Sequence, residues 1–310
     1  MGPTATKLSQ WVPSVRYHGC TRRRAAASVR GGAVKKLGVL LVCFFCVGIS
    51  VTICTCGDGG TSAAATGETA NTWVNLNPEG TAPDARSMHC MVYDSSAERI
   101  ILFGGWSSEH HFDDTWAYDC RTNTWTNLHP RGDVPNALWS QSMVYDSAGG
   151  RSILFGGSVV GLGHSGQTWA YDYGSNTWLN LNPQGAVPSA RNKHAMAYDP
   201  ITGKAILFGG VDLSLDGRLN SNDTWEYDPS TNIWTNLNPS GSKPRARSNH
   251  CMAYDSVTDK IVLWGGEDYT ESDGHVDLCD TWAYDSRANS WTNLSPGGDI
   301  PFAWDASEMV

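Results

Sequence analysis

Three copies of one short pattern bring together side chains able to do chemistry: Arg86-x-x-His89, Arg191-x-x-His194 and Arg247-x-x-His250. Arg presents a rigid fork of donors, and His can donate, accept or titrate. Together they read as an electropositive collar for an anionic or sugar ligand. The competing reading is that both residues recur with a structural repeat and bond loop carbonyls. Leu138 and Gln141 break the pattern in a further copy, where Trp139 stands at the position of Ser87. An indole there offers a face either to a sugar ring or to packing.

A second supply of chemistry lies in acid-rich stretches around Glu109-His110-His111-x-Asp113, Asp212–Asn222 and Glu267–Asp277. Oxygen-rich loops can hold Ca²⁺. None of these follows the Asp-x-Asp-x-Asp-Gly spacing, and adjacent His110 and His111 would point apart in a strand, so neither metal nor cofactor is expected. No Gly-x-Ser-x-Gly, His-Glu-x-x-His or phosphate loop appears. Cys90 and Cys251 fall at equivalent strand positions and read as small buried thiols, with a Cys251–Cys279 bridge open to an oxidising compartment. Asp94/Arg99, Asp199/Lys204 and Asp255/Lys260 read as cross-turn pairs of little energetic worth. Binding, rather than catalysis, is the first expectation.

These residues are positioned by a repeat. The phrase Asn71–Pro78 around Trp73 returns around Trp125, Trp178, Trp234 and Trp291, at spacings of 52 to 57 residues. A second indole, in Thr-Trp-x-Tyr-Asp, recurs at Trp116, Trp169, Trp225 and Trp282. The pairs Gly104-Gly105, Gly156-Gly157, Gly209-Gly210 and Gly265-Gly266 mark a third position. Each copy reads as four short strands: one around Met88–Tyr93, the apolar run Ile100–Phe103, then Thr115–Tyr118 and Thr124–Leu128. No segment has a helical period. A lone four-stranded sheet cannot cover both faces, so each must pack on its copies, with Trp as the largest buried unit.

Period, double glycine and paired tryptophans together resemble the Kelch repeat over roughly residues 71–310. The resemblance implies an all-β, Kelch-type β-propeller of four-stranded antiparallel blades. Repeats fall at about 71–122, 123–175, 176–231 and 232–288, with a partial copy at 289–310. That makes about four complete blades plus partial ones, where such propellers usually have six or seven. Open edges would then let copies self-associate. In this fold the Arg/His sets start the innermost strands, at the mouth of the central channel. The second-to-third strand connections share that end, and they vary: 10, 11, 14 and 15 residues separate the second glycine from the next Trp. Variable loops on a rigid scaffold are where binding tends to reside. The resemblance also carries an enzymatic alternative, because galactose-oxidase-like propellers hold copper with Tyr, His and a Cys-linked Tyr. No distinct cluster of that kind is evident here. A cytosolic Kelch adaptor is a third reading.

Charge separates the chain into two materials. The 310 residues carry a net charge of −9, but eight Lys/Arg and no acid precede Asp58. The remainder holds 14 basic against 31 acidic residues, or −17, which excludes a cationic nucleic-acid surface. Residues 1–36 read as a basic cytoplasmic leader, 37–56 as an apolar transmembrane or signal helix and 57–70 as a Gly/Ala/Thr linker. The expectation is a binding module outside the membrane, anchored or secreted, whose partner is a protein or a carbohydrate.

Overall fold

The computed structural model describes residues 75–212, 214, 219–270 and 274–297, with the short pair Leu41–Val42 and Glu308–Met309. The basic leader, the linker and most of the 37–56 segment lie outside the described residues. Among the described residues no helix is long and apolar enough to cross a membrane.

All regular structure described is strand. Blade 1 comprises Cys90–Asp94, Arg99–Phe103, Thr115–Asp119 and Thr124–Asn127. Blade 2 follows with Ser142–Asp146, Arg151–Phe155, Thr168–Asp172 and Thr177–Asn180. Blade 3 uses Ala195–Asp199, Lys204–Phe208, Thr224–Asp228 and Ile233–Asn236. Blade 4 uses Cys251–Asp255, Lys260–Trp264, Thr281–Asp285 and Ser290–Asn293. Within each, sheet order equals chain order and every pairing is antiparallel. First strands of successive blades lie side by side. This is the expected blade.

The blades are held by seams of alternating side chains. Between blades 2 and 3, Val144, Ile153, Phe155 and Ala170 meet Met196, Leu207, Trp225, Tyr227 and Trp234. The same positions build the seams on either side. In blades 2, 3 and 4 the fourth-strand Trp reaches back across a seam: Trp178, Trp234 and Trp291 donate Nε1–H to Thr115, Thr168 and Thr224 at 3.0–3.1 Å. A buried indole therefore keeps its hydrogen bond while contributing its large apolar area. Asn176, Asn232 and Asn289 accept from their own blade's Tyr and donate to Leu128, Leu181 and Leu237 of the blade before. Asn123 does the same with Tyr118 and Leu76, so Leu76 stands against blade 1 as an outer strand of a preceding blade would. On the far side, Val262 and Trp264 of blade 4 are half-buried where Ile153, Phe155, Ile206 and Phe208 are fully buried.

The double glycine has two different jobs. A Cβ on Gly104, Gly156 or Gly209 would lie 2.6 Å from the carbonyl oxygen of Leu138, Arg191 or Arg247 in the next blade. A Cβ on Gly105, Gly157, Gly210 or Gly266 would meet its own blade's inner strand at 2.6–2.8 Å. The N–H groups of Gly105, Gly157 and Gly210 donate to those same next-blade carbonyls at 2.7–2.9 Å. Close approach thus allows a backbone bond between blades. Gly241 separates approach from conformation: its φ is +79°, but nothing lies within 4 Å of the place a methyl would take. Gly241→Ala is expected to cost about 1 kcal/mol from left-handed strain alone. Gly209→Ala should cost clearly more, read as a larger fall in melting temperature; equal losses would refute the blade-contact role.

The charged residues of the first turns are arranged differently from the cross-turn expectation. Asp94 and Asp199 accept from backbone N–H groups of their own turns. Arg99, Lys204 and Lys260 instead pair with third-strand Asp119, Asp228 and Asp285 at 2.9, 2.9 and 3.7 Å. Turn N–H groups claim the aspartates first, because they are otherwise without acceptors. The Cys90 and Cys251 thiols lie against the carbonyls of Phe103 and Trp264.

Candidate functional site

The residues just before each inner strand do more than lead into it. Leu138–Trp139 pairs with Ser158–Val159, which pairs with Gly163–His164. Arg191–Asn192, Val211–Asp212 and Leu219–Asn220 repeat the arrangement in blade 3. In blade 1 it is reduced to the bridges Ser87↔Trp106 and Trp106↔His111. In blade 4, Ser248 bridges Glu267, at the base of the hairpin Glu267–Thr270 and Gly274–Asp277. The length-variable connections are therefore hairpins hydrogen-bonded to the inner strand. Adding strands satisfies their backbone N–H and C=O groups.

Three backbone bonds in series join these small sheets along an incomplete ring. Ser140 N–H donates to Met88 at 2.8 Å, Lys193 to Ser140 at 2.9 Å and Asn249 to Lys193 at 3.0 Å. All four ring residues have φ between +53° and +56°. The ring sits where the Arg/His sets were expected, one residue before each His or its replacement Gln141.

The three arginines point inward, with side chains no more than 1 % exposed. Arg86 grips both carboxylate oxygens of Asp114 and stacks on Phe112 at 3.8 Å. Arg191 makes the same fork with Asp223 at 2.6 and 2.8 Å, and Arg247 with Asp280 at 2.6 and 3.0 Å. Each also donates to its own blade's first glycine carbonyl and, through Nε, to a residue two positions upstream. The acids accept in addition from Trp116, Trp225 and Trp282. Burial pushes these carboxyls up, but the guanidinium and indole hydrogen bonds outweigh it and hold them below the usual range. Most of the fork's donors are spent inside the fold.

The histidines lie in the seams. His194 and His250 stand edge-on to Phe155 and Phe208 of the preceding blade, at 5.5 and 5.6 Å. Burial, followed by the neighbouring Arg charge, brings His89 and His194 down to about 3 and His250 well below its ordinary value. In the second copy Gln141 donates Nε2–H to Phe103 at 3.0 Å. Neutral imidazole and neutral amide thus occupy one kind of site.

Trp139 is placed differently. It is half-buried, 4.8 Å from the exposed ring of His111, which stacks in turn on Trp106 at 6.3 Å and 23°. Trp106 remains 36 % exposed. An aromatic shelf thus spans blades 1 and 2. Across the ring, the buried Glu267 carboxylate accepts from Asn249 at 2.6 Å and meets Lys193 at 3.4 Å and His275 at 2.8 Å. Burial would raise that carboxyl; Lys193 and His275 outweigh it and hold it low. Among the described residues no group of three or more His, Cys, Asp or Glu side chains is placed to hold a metal ion.

Two features went unread in the sequence. Asp114, Asp223 and Asp280 each precede the third-strand Trp by two residues, and Gln167 replaces them in the one copy where Leu138 replaces Arg. That joint loss was a visible signal of pairing. Of the Trp106–His111–Trp139 shelf only Trp139 stood out, because Trp106 and His111 lie on a blade 1 hairpin outside the repeat register.

The chain matches the family model of the KLHDC2/KLHL20/DRC7 Kelch-repeats domain over residues 65–266 and 199–310. It is 28 % identical over 221 residues to Kelch domain-containing protein 3 of Homo sapiens and of Bos taurus, covering 67 % of this chain and 54 % of each relative. It is 27 % identical over 201 residues to the Rab9 effector protein with kelch motifs of Xenopus laevis, covering 63 % of this chain and 53 % of that one. The chain therefore spans about half the length of the curated relatives it matches. Four-stranded blades, seam tryptophans and double glycines agree with that match, and the chain belongs to the Kelch-repeat family.

Proposed function

We propose that the chain is a protein-binding module that docks its partner on the hairpin-bearing end of the blades. The observation that carries this is the construction of that end. Its hairpins differ from blade to blade, are fixed to the inner strands, and hold Trp106, Leu162 and Tyr269 at 36 %, 75 % and 44 % exposure. Exposed aromatic and aliphatic groups gathered at one end can supply the anchors of a protein interface. The relative named as a Rab9 effector supports a protein partner in place of a glycan. The +8 leader and apolar 37–56 segment support placement outside a membrane, which protease accessibility on intact cells would test.

A photo-crosslinking residue at Leu162 or Tyr269 is expected to give one discrete protein adduct in cells. The same residue at Ile201 or Val257, exposed in first-to-second strand turns at the opposite end, should give none. Adducts only from the opposite end would overturn the reading. So would a glycan array bound by a domain that yields no protein adduct.

A further inference from the structure

We infer that the Trp106–His111–Trp139 shelf is a subsite for a cationic side chain, an arginine in a partner polypeptide segment. The inference rests on the protein-docking reading above and adds the chemistry of one contact. An indole face carries negative quadrupole charge and attracts a cation, with guanidinium the commonest protein ligand. Here one indole is 36 % exposed, and His111 stands between it and Trp139, 4.8 Å from the latter.

The charges around the shelf complete the case. The hairpin segments 106–114 and 157–167 contain no Lys or Arg, while Glu109 and Asp113 are exposed on the first of them. Arg86, one residue before the Ser87 that bridges Trp106, is buried and paired with Asp114. Ring neighbours Met88 and Ser140 are uncharged. The whole region after residue 57 carries −17. A positive group approaching the shelf thus meets attraction from the ring faces, the local acids and the domain. An anion meets the reverse. A sugar would gain the stacking but nothing from the charge, so the arrangement favours the cation.

Four probes test this at 0.15 M salt: a fluorescein-labelled peptide of four Arg-Gly units, its lysine and citrulline counterparts, and labelled maltoheptaose. The arginine peptide is expected to bind, and the citrulline peptide, of the same shape but neutral, at least tenfold more weakly. Trp106→Leu should weaken the arginine peptide about tenfold, and Trp106→Phe, which keeps a π face, less. Melting temperatures confirm that both variants fold. Diffuse attraction to an acidic domain would survive Trp106→Leu, and survival overturns the inference. Equal binding of citrulline, preference for maltoheptaose, or no binding also overturns it. If any of these occurs while crosslinks at Leu162 and Tyr269 persist, docking stands and only the arginine subsite fails.

Discussion

Arg247→Leu alone should destabilise the domain by about 3 kcal/mol, and Arg247→Leu with Asp280→Gln should recover most of that loss. The first change strands Asp280, whose carboxylate is held by the guanidinium fork and by Trp282. Breaking a buried ion pair typically costs about 3–5 kcal/mol. Asp280 keeps 31 % side-chain exposure, so water takes up part of the penalty and the lower end of the range applies. Asp280→Gln alone buries an unpaired Arg247, 0 % exposed, and should cost at least as much. The double change installs the pair found in blade 2, where Leu138 stands for Arg and Gln167 accepts from Trp169 at 3.3 Å. For a domain of this size about 3 kcal/mol lowers the melting temperature by roughly 6–12 °C. Thermal melts of the four proteins in the cycle give the coupling directly. Near-additive losses would show that the fork does not bind the two residues as a unit. The double variant also tests the collar expectation. If it folds yet no longer gives the crosslinked adduct, Arg247 acts on the partner as well as on the fold.

How much of this could be read without coordinates differs by residue. The blades were legible because Trp, Gly-Gly and Tyr-Asp repeat at one spacing, and only packing against copies explains such repetition. The reason for two glycines was not legible, since one contact is within the blade and the other crosses to the next. The Arg/His sets were found by spacing, but their direction was not. A buried fork and a solvent-facing collar have the same sequence until the acid partner 28 to 33 residues downstream is identified. The shelf was half-found, at Trp139 alone. Its other members sit on a hairpin whose length differs in every copy, so the repeat register fails where binding chemistry begins. Loops escape the periodic constraint that makes blades readable.

Acid should weaken this fold through its histidines well before its carboxylates protonate. His194 has an ordinary value of 6.5 and a folded value of about 3, and His250 is displaced in the same direction. A depressed histidine means that the unfolded chain binds the proton and the folded one does not. Stability is therefore intact above about pH 6.5 and declines as pH falls toward the folded value. Each such group contributes a slope of about 1.4 kcal/mol per pH unit. His194 alone would remove roughly 2–3 kcal/mol between pH 7 and 4.5, and His250 adds a loss of the same sign. Asp114, Asp223 and Asp280 are also depressed, but their loss starts only below their ordinary value of 3.8. Glu267, depressed from an ordinary 4.5, and His89 also lose stability in or near the interval from pH 4.5 to 6.5, but both are common to parent and variant and cancel in the comparison. Gln141, which already fills this kind of site, supplies the comparison: His194→Gln with His250→Gln keeps a neutral polar group beside the same phenylalanine. At pH 7 the variant should lie within about 1.5 kcal/mol of the parent, the range for a swap that preserves volume. At pH 4.5 it should be the more stable of the two. Denaturant titrations at half-unit steps of pH read the slopes, and parallel curves for parent and variant would show that neither imidazole resists protonation in the seam.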